Sequence, residues 1–123
     1  MKAGNRTVGA RLRIVLEPDV AIGPGKADIL ESIRLTGSIA AAGRHMGMSY
    51  KRAWRLVEAM NRAFKTPLVA TAKGGRGHGG ATLTDAGEEV LARYRRMERL
   101  TRDAIGAEMT ALQRLMTDGS PDG

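Results

Sequence analysis

The positively charged side chains of this sequence are concentrated in one segment, in a pattern suited to binding phosphate groups. Between Ser32 and Thr84, nine lysine or arginine residues stand against a single acid, Glu58, so the segment has a charge of +8. The rest of the chain sums to −1, within a total of +7. The nine are Arg34, Arg44, Lys51, Arg52, Arg55, Arg62, Lys65, Lys73 and Arg76. Because neutralising phosphates releases counterions, this segregation predicts a polyanionic partner, with an ordinary solvated basic surface as the alternative.

Other residue types offer little for catalysis or metal binding. The chain has no cysteine and two histidines, His45 and His78, so we expect no disulfide, no cysteine-based zinc site and no metal. Glu88 and Glu89 are adjacent, so on a helix they point about 100° apart and suit a solvated first turn. Residues 75–80 formally match the dinucleotide fingerprint G-x-G-x-x-G, but a β-like run follows instead of the required helix. We therefore predict neither an enzyme nor a cofactor.

Two short helices and the turn between them are predicted to position these cations. Ser38 is a good N-cap for a helix whose apolar residues recur at helical spacing and which ends at Gly47. Ser49 is predicted to cap the next helix, over residues 49–64, which has one apolar face and one basic face. Two helices joined by so short a turn match the helix-turn-helix plan. The alternative is a small helical bundle with a solvated basic face.

In the helix-turn-helix plan, the N-terminal residues of the second helix face the major groove of DNA. The residues predicted to bind DNA from this recognition helix are Ser49, Tyr50, Lys51, Arg52 and Arg55. The first helix and the turn are predicted to add Ser38, Arg44 and Met48. Arginine and lysine can donate to guanine or hold phosphates, and the sequence leaves both roles open.

A glycine-rich hairpin is predicted after the recognition helix. Residues 68–71 and 81–83 form two short β-like runs, joined by a basic tip over residues 73–80. Glycines let a backbone approach phosphate closely, so this hairpin is predicted to act as a DNA-binding wing. Its predicted DNA-binding residues are Lys73, Gly74, Gly75, Arg76, Gly77, His78 and Gly79.

Thr84 is predicted to cap a long final helix over residues 85–116, about 48 Å in length. Its apolar stripe is longer than a small domain needs for its own core, which predicts a homodimer. The alternative is a helix that packs back onto its own domain. The predicted dimer-interface residues are Leu91, Tyr94, Met97, Leu100, Ile105, Met109 and Leu112.

The first part of the chain completes the predicted fold. Residues 11–16 alternate like a strand, Glu17-Pro18-Asp19 is a turn signal, and residues 20–22 form a second short strand. Gly23-Pro24-Gly25 is interpreted as a break before a helix over Lys26–Leu35.

The predicted fold class is mainly α with a small β wing (α+β), a winged helix-turn-helix with a long C-terminal dimerisation helix. Its 123 residues fit one domain. The predicted parts are a flexible N-terminus (1–9), the winged helix-turn-helix (10–84), the long helix (85–116) and a disordered tail (117–123). Neither a signal peptide nor 18 consecutive apolar residues is found, so we expect a cytoplasmic protein.

The sequence resembles the N-terminal DNA-binding domain of the molybdate-responsive (ModE-type) transcriptional regulators. The resemblance extends over about residues 10–116 and rests on four motifs: the run from Gly37 to Trp54, Met60-Asn61, Gly74–Ala81 and Leu83–Gly87. The helix-turn-helix is also similar to that of LysR-type regulators, in which Leu-Thr-x-Ala-Gly likewise follows the wing.

This resemblance implies a winged-helix domain dimerised largely through its long final helix. It matches residues 49–52 to the family's recognition helix and residues 74–80 to its wing. Full-length members add C-terminal oxyanion-binding domains; we expect none in this chain, so molybdate sensing is not implied.

The expected function is a homodimeric transcriptional regulator that binds double-stranded DNA. Two alternatives stay open, a non-specific architectural nucleic-acid-binding protein and a protein–protein interaction module that uses the long helix. A groove-reading motif favours the regulator, and an aromatic fraction of 3% argues against a platform for stacking single-stranded bases.

Overall fold

The computed structural model describes residues 9–16, 20–72 and 80–117. Along these residues, four helices accompany two antiparallel hairpins of two strands each. In chain order, the elements are β1 (Ile14–Leu16), β2 (Val20–Ile22), α1 (Pro24–Thr36), α2 (Ile39–Met46), α3 (Tyr50–Ala63), β3 (Val69–Ala72), β4 (Gly80–Leu83) and α4 (Asp85–Leu115). The predicted turn at 17–19, residues 1–8 of the predicted flexible start and residues 118–123 of the predicted tail lie outside the described residues.

The first hairpin pairs β1 with β2, with Ile14 opposite Ile22 and Leu16 opposite Val20. The sequence predicts a strand from residue 11, but only the last three residues of that run are paired, because β2 offers three partners. The residues before β1 contact α4 instead. There the Tyr94 hydroxyl donates to the Leu12 carbonyl oxygen at 2.6 Å. The first hairpin is thereby tied to the last helix.

Helix α1 begins at Pro24, two residues before the predicted start. The interpretation of Gly23-Pro24-Gly25 as a chain break is wrong, because Pro24 occupies the first helical turn. A proline there loses no hydrogen bond, since the first N–H groups of a helix have no internal partner, and its fixed φ suits the helix. The helix runs one residue beyond the predicted Leu35 and is capped by Gly37.

One hydrophobic core forms where the helices meet the second hairpin. The apolar face of α1 lies in this core, and its Ile29, Leu30 and Ile33 are all completely buried. The other buried apolar residues of the core are Ile22, Ala27, Ile39, Ala42, Ala53, Val57, Met60, Leu68, Val69, Ala81, Leu91 and Tyr94. All four helices contribute to this core, so it fixes the helix-turn-helix and the second hairpin relative to each other.

The second hairpin confirms the two β-like runs of the predicted wing. Strands β3 and β4 are antiparallel, with Val69 opposite Leu83 and Ala72 opposite Gly80. The Ala81 amide donates to the Gly37 carbonyl oxygen at 2.9 Å, which ties the hairpin to the end of α1. Of the predicted tip at residues 73–80, Gly80 is instead the first residue of β4, and residues 73–79 lie outside the described residues.

Helix α4 is the longest element, with 31 residues and a length of roughly 46 Å. Thr84 is its N-cap, as predicted, and the Thr84 hydroxyl accepts a hydrogen bond from the Gly87 amide at 3.0 Å. Its first half packs on the core through Leu91 and Tyr94. Its second half is mostly exposed, and 63% of the Leu112 surface is accessible to solvent.

An ion cluster fixes the first half of α4 against α1. The Arg95 guanidinium contacts Asp28 at 2.9 Å and Glu31 at 2.7 Å on α1, and Glu98 at 3.1 Å on its own helix. Burial alone would lower the pKa of Arg95, but hydrogen bonds to the three carboxylates outweigh it and raise the pKa. Burial also raises the pKa of the neighbouring Tyr94 to about 12, with Glu98 adding to the effect. The tyrosine therefore stays protonated and keeps its bond to Leu12.

Candidate nucleic-acid interface

The turn between α2 and α3 is built from local capping interactions. The Ser38 hydroxyl accepts from the Ala41 amide at 2.8 Å, which starts α2. Gly47 then ends α2 in the left-handed conformation, with φ of 72°. The Ser49 hydroxyl accepts from the Arg52 amide at 3.1 Å and starts α3. All three caps agree with the sequence prediction, because each depends on residues within three positions along the chain.

Gly43 of α2 is buried where this helix packs against α3. A Cβ atom at this position would lie 3.3 Å from the Ala53 Cβ and 3.4 Å from the Met48 carbonyl oxygen. The first distance is tighter than an ordinary van der Waals contact and the second lies at its lower limit, so even a methyl group here would crowd α3. Gly43 therefore allows α2 and α3 to pack closely.

The two faces of α3 differ sharply. Its inner face is buried through Ala53, Val57 and Met60, as the helical spacing predicts. Its outer face is exposed, and the predicted DNA-binding side chains on it are all exposed: Tyr50, Lys51, Arg52 and Arg55. The structure thus brings together on one surface the residues predicted for the recognition helix.

The cations on this face have no acidic partners. In the described part of the chain, the side chains of Lys51, Arg52 and Arg55 have no carboxylate oxygen within 4 Å. By contrast, Arg34 pairs with Glu88 at 2.8 Å, and Arg95 pairs with three carboxylates. The α3 cations thus keep their full charge available to an external anion, while these other two arginines support the fold.

The remaining predicted residues of the first helix and the turn differ in accessibility. Arg44 is exposed in the last turn of α2, whereas Met48 is half-buried in the turn. Ser38 is also half-buried, and its hydroxyl is engaged in capping α2. Arg44 therefore adds a further exposed cation near α3. The seven predicted wing residues, Lys73 to Gly79, lie outside the described residues.

Side chains whose structural roles the sequence analysis missed hold the wing beside α3. The Asn61 side-chain oxygen accepts from the amides of Leu68 and Val69, at 2.8 and 3.1 Å. The Thr84 hydroxyl donates to the Pro67 carbonyl oxygen at 2.7 Å. The partners of Asn61 are seven and eight residues away and that of Thr84 is seventeen, so no local sequence pattern indicates these bonds. They connect the end of α3 and the start of α4 to the base of the hairpin.

Trp54 makes a second contact that the sequence patterns above do not predict. Its indole Nε1 donates a hydrogen bond to the Tyr50 hydroxyl oxygen, and the two rings meet edge to face. The sequence signal for this contact is the spacing of four residues, because residues four apart on a helix are neighbours on its surface.

Among the described residues, neither a cluster of metal-ligating side chains nor a helix able to span a membrane is found. No group of three or more histidine, aspartate or glutamate side chains there is placed to hold a metal ion. Among the helices described, none combines the length and the hydrophobicity that a membrane span requires.

A family model for bacterial regulatory helix-turn-helix proteins of the lysR family matches residues 26–88. This match covers just over half of the chain, from α1 to the start of α4, and includes the whole helix-turn-helix and the second hairpin. The chain belongs to this family. The predicted similarity to LysR-type helix-turn-helix proteins is thereby confirmed.

Curated relatives of this lysR-family chain confirm the ModE-type resemblance. It is 46% identical over 86 residues to the molybdenum-pterin-binding protein MopB of Rhodobacter capsulatus, covering 69% of this chain and 32% of MopB. It is 35% identical over 118 residues to the molybdenum transport protein ModE of Azotobacter vinelandii, covering 87% of this chain and 44% of that protein. It is 36% identical over 83 residues to the DNA-binding transcriptional dual regulator ModE of Escherichia coli (strain K12), covering 68% of this chain and 32% of that protein. The chain thus spans about a third to under half the length of these relatives.

A solved structure confirms the fold class of this lysR-family chain. The crystal structure of the CbnR_DBD–DNA complex superposes with a TM-score of 0.55 at 22% identity. The match covers 72% of this chain and 95% of the other. The predicted winged helix-turn-helix architecture with a long C-terminal helix is therefore observed.

Proposed function

We propose that this protein is a transcription regulator that binds double-stranded DNA, with α3 as its recognition helix. The observation that carries the proposal is the exposed start of α3, where Lys51, Arg52 and Arg55 face solvent without a carboxylate partner among the described residues. Such side chains donate to guanine O6 and N7 or to phosphate oxygens. Membership of a family of regulatory helix-turn-helix proteins supports the same function and a cytoplasmic location with the DNA.

The wing is proposed to contact DNA beside the recognition helix. Strands β3 and β4 pair up to Ala72 and Gly80, so residues 73–79 connect the far ends of a hairpin whose base is fixed to α3 and α4. This connection contains Lys73, Arg76 and four glycines, a composition suited to close contact with phosphates.

The second half of α4 is proposed to pair with a second copy of the chain. Met97, Ile105 and Met109 are half-buried, while Leu100 and Leu112 are 54% and 63% exposed. Beyond the core, Ile105, Met109 and Leu112 lie on one side of α4 as an apolar stripe, and pairing would remove that stripe from water. Met97, which packs partly against the core, begins the same side, whereas Leu100 lies more than 100° around the helix from the other three and is not part of the stripe. Leu91 and Tyr94 are not part of the proposed dimer face, because both are buried in the core of their own chain.

The first test of the function compares two double variants that each remove two positive charges. Lys51→Ala with Arg52→Ala removes cations from the start of α3, whereas Arg96→Ala with Arg99→Ala removes exposed cations from α4. Affinity is measured by gel shift on a DNA site selected from a random pool. We expect the α3 variant to lose at least about thirty-fold in affinity, since each lost base or phosphate contact costs about 1–3 kcal/mol.

The matched α4 variant is expected to lose far less, because the proposal leaves its arginines outside the interface. Equal losses in the two variants would reject α3 as the recognition helix and favour binding by overall charge. A wild-type protein that binds the selected site and random DNA equally well, at fixed salt, would favour the architectural function instead. Thermal unfolding of both variants checks that the fold is retained.

A further inference from the structure

Tyr50 and Trp54 form an aromatic pair one turn apart at the start of the proposed recognition helix. Tyr50 is the first residue of α3 and is 56% exposed. The ring centroids lie 6.3 Å apart with an interplanar angle of 84°, an edge-to-face arrangement. Trp54 packs partly against the hydrophobic core while its Nε1 donates to the Tyr50 hydroxyl. An exposed side chain is thus held by one that is anchored in the domain.

The direction of this hydrogen bond determines what Tyr50 can offer to a ligand. An indole nitrogen has one hydrogen and cannot accept, so the tyrosine oxygen must be the acceptor. The hydroxyl hydrogen of Tyr50 remains available, and no acceptor for it is found among the described residues. The pair therefore presents a neutral hydrogen-bond donor, in a fixed position, at the end of α3 that faces DNA in the helix-turn-helix plan.

We propose that Trp54 is a positioning residue that directs the Tyr50 hydroxyl at a hydrogen-bond acceptor on DNA. This inference rests on the proposed function. The acceptor is either a phosphate oxygen or a base-edge atom in the major groove, such as N7 or O6 of guanine or O4 of thymine. Because the ring is already ordered by Trp54, Tyr50 loses little freedom on binding, unlike the long side chains of Lys51 and Arg52.

The salt dependence of DNA affinity distinguishes the role proposed for Tyr50 from that of the neighbouring cations. A cation that neutralises a phosphate releases counterions. Its removal therefore makes DNA affinity fall less steeply as the salt concentration rises. A tyrosine carries no charge, and its removal is expected to lower affinity at every salt concentration while leaving the steepness of that fall unchanged. This signature separates a donated hydrogen bond from a change in the electrostatic field of α3.

The test measures DNA affinity for Tyr50→Phe, Trp54→Phe and the double variant in the full chain. Each single variant is expected to weaken binding about 2- to 12-fold, the range for one net hydrogen bond. The double variant is expected to bind like Tyr50→Phe alone, because Trp54 acts through Tyr50. A loss confined to the selected site indicates a base-edge acceptor, and an equal loss on random DNA indicates a phosphate; both support the proposal.

A second readout needs no DNA, because Trp54 is the single tryptophan of the chain. Its one indole N–H resonance is expected to shift upfield and to exchange faster with solvent in Tyr50→Phe, as the hydrogen bond is lost. If the resonance does not shift, the hydrogen bond from Trp54 to Tyr50 is absent and the proposal fails. Unchanged affinity in Tyr50→Phe, or additive losses in the double variant, would overturn the role on DNA.

A failure of this inference can be told apart from a failure of the proposed function. If Lys51→Ala with Arg52→Ala weakens binding while Tyr50→Phe does not, only the inference about the aromatic pair fails. If the wild-type chain binds no DNA, the proposed function fails and the inference fails with it.

Discussion

Asn61 takes the place of a strand partner for the residues that lead into the wing. Its side-chain oxygen accepts from two consecutive amides, those of Leu68 and Val69, and its side-chain nitrogen donates to the Val69 carbonyl oxygen at 3.1 Å. Leu68 and Val69 are both buried, so water cannot readily replace these bonds. One residue near the end of α3 therefore holds the backbone at the start of the second hairpin.

We predict that Asn61→Ala lowers the free energy of unfolding by about 1–3 kcal/mol, because it leaves buried backbone groups without partners. Urea unfolding of the purified chain measures this loss. Arg62→Ala on the next, exposed position is the control, with an expected change within about 0.5 kcal/mol. Equal stabilities of the two variants would show that the Asn61 bonds contribute nothing to folding.

At the scale of the elements, the junction between α4 and β3 depends on the absence of a side chain at Gly87. A Cβ atom there would lie 2.1 Å from the Leu68 carbonyl oxygen and 3.3 Å from the Leu83 Cβ. The same carbonyl accepts from the Thr84 amide at 3.0 Å. The Leu-Thr-x-Ala-Gly motif at residues 83–87 thus has a packing explanation, because its threonine caps α4 and its glycine allows the helix to touch the hairpin.

Gly87→Ala is predicted to destabilise the fold by about 1–3 kcal/mol or more, since the obstructing atom belongs to the backbone and cannot swing away. Gly106→Ala in the same helix is the matched control. Apart from its chain neighbours and the backbone of its own helix, no atom of the described residues lies within 4 Å of a Cβ at Gly106, so alanine is expected to stabilise α4 by about 0.5–1 kcal/mol through its higher helix propensity. Thermal unfolding compares the pair, and a shift of the same sign in both would contradict the packing explanation.

The elements that could be predicted from the sequence are those determined by neighbouring residues. Ser38, Ser49 and Thr84 each cap the helix that follows, and each accepts from an amide three residues ahead. The predicted start of α1 is wrong because it treats Pro24 as a helix breaker, whereas proline is favoured in a first helical turn.

Contacts between residues far apart along the chain could not be predicted from the sequence. Arg95 reaches Asp28 across 67 positions, and the Tyr94 hydroxyl reaches Leu12 across 82. Composition and periodicity record which residues are polar, but they do not record which ones the fold brings together. The exposed face of α3 was predictable for the opposite reason, since helical spacing alone separates its buried residues from its cations.

At the scale of the whole molecule, the two halves of α4 have different surroundings. The first half is fixed by Tyr94 and by the ion cluster around Arg95, while the second half extends past the core with Leu112 and Leu115 63% and 81% exposed. A lone amphipathic helix in water is marginally stable, and most helical stability in proteins comes from packing of the apolar face. In the dimer proposed above, a second copy would cover this half, and the recognition helix of that copy would read a second half-site.

We predict that the wild-type chain is a dimer and that Ile105→Glu with Met109→Glu makes it a monomer, because charges would then occupy the shared apolar stripe. Sedimentation measures the oligomeric state. Loss of the dimer removes the second binding event, so affinity for a two-half-site DNA is expected to fall by two orders of magnitude or more, roughly the avidity of a linked pair. Affinity for an isolated half-site is expected to stay the same, since α3 is untouched.

Ala107→Glu is the control for the added charge, because residue 107 lies on the opposite side of α4 from 105 and 109 and is already exposed. It is expected to remain dimeric with wild-type affinity. A wild-type chain that sediments as a monomer at micromolar concentration would reject the dimer outright. If the control also dissociates, the effect is one of charge on the helix as a whole, and the apolar stripe is not the contact.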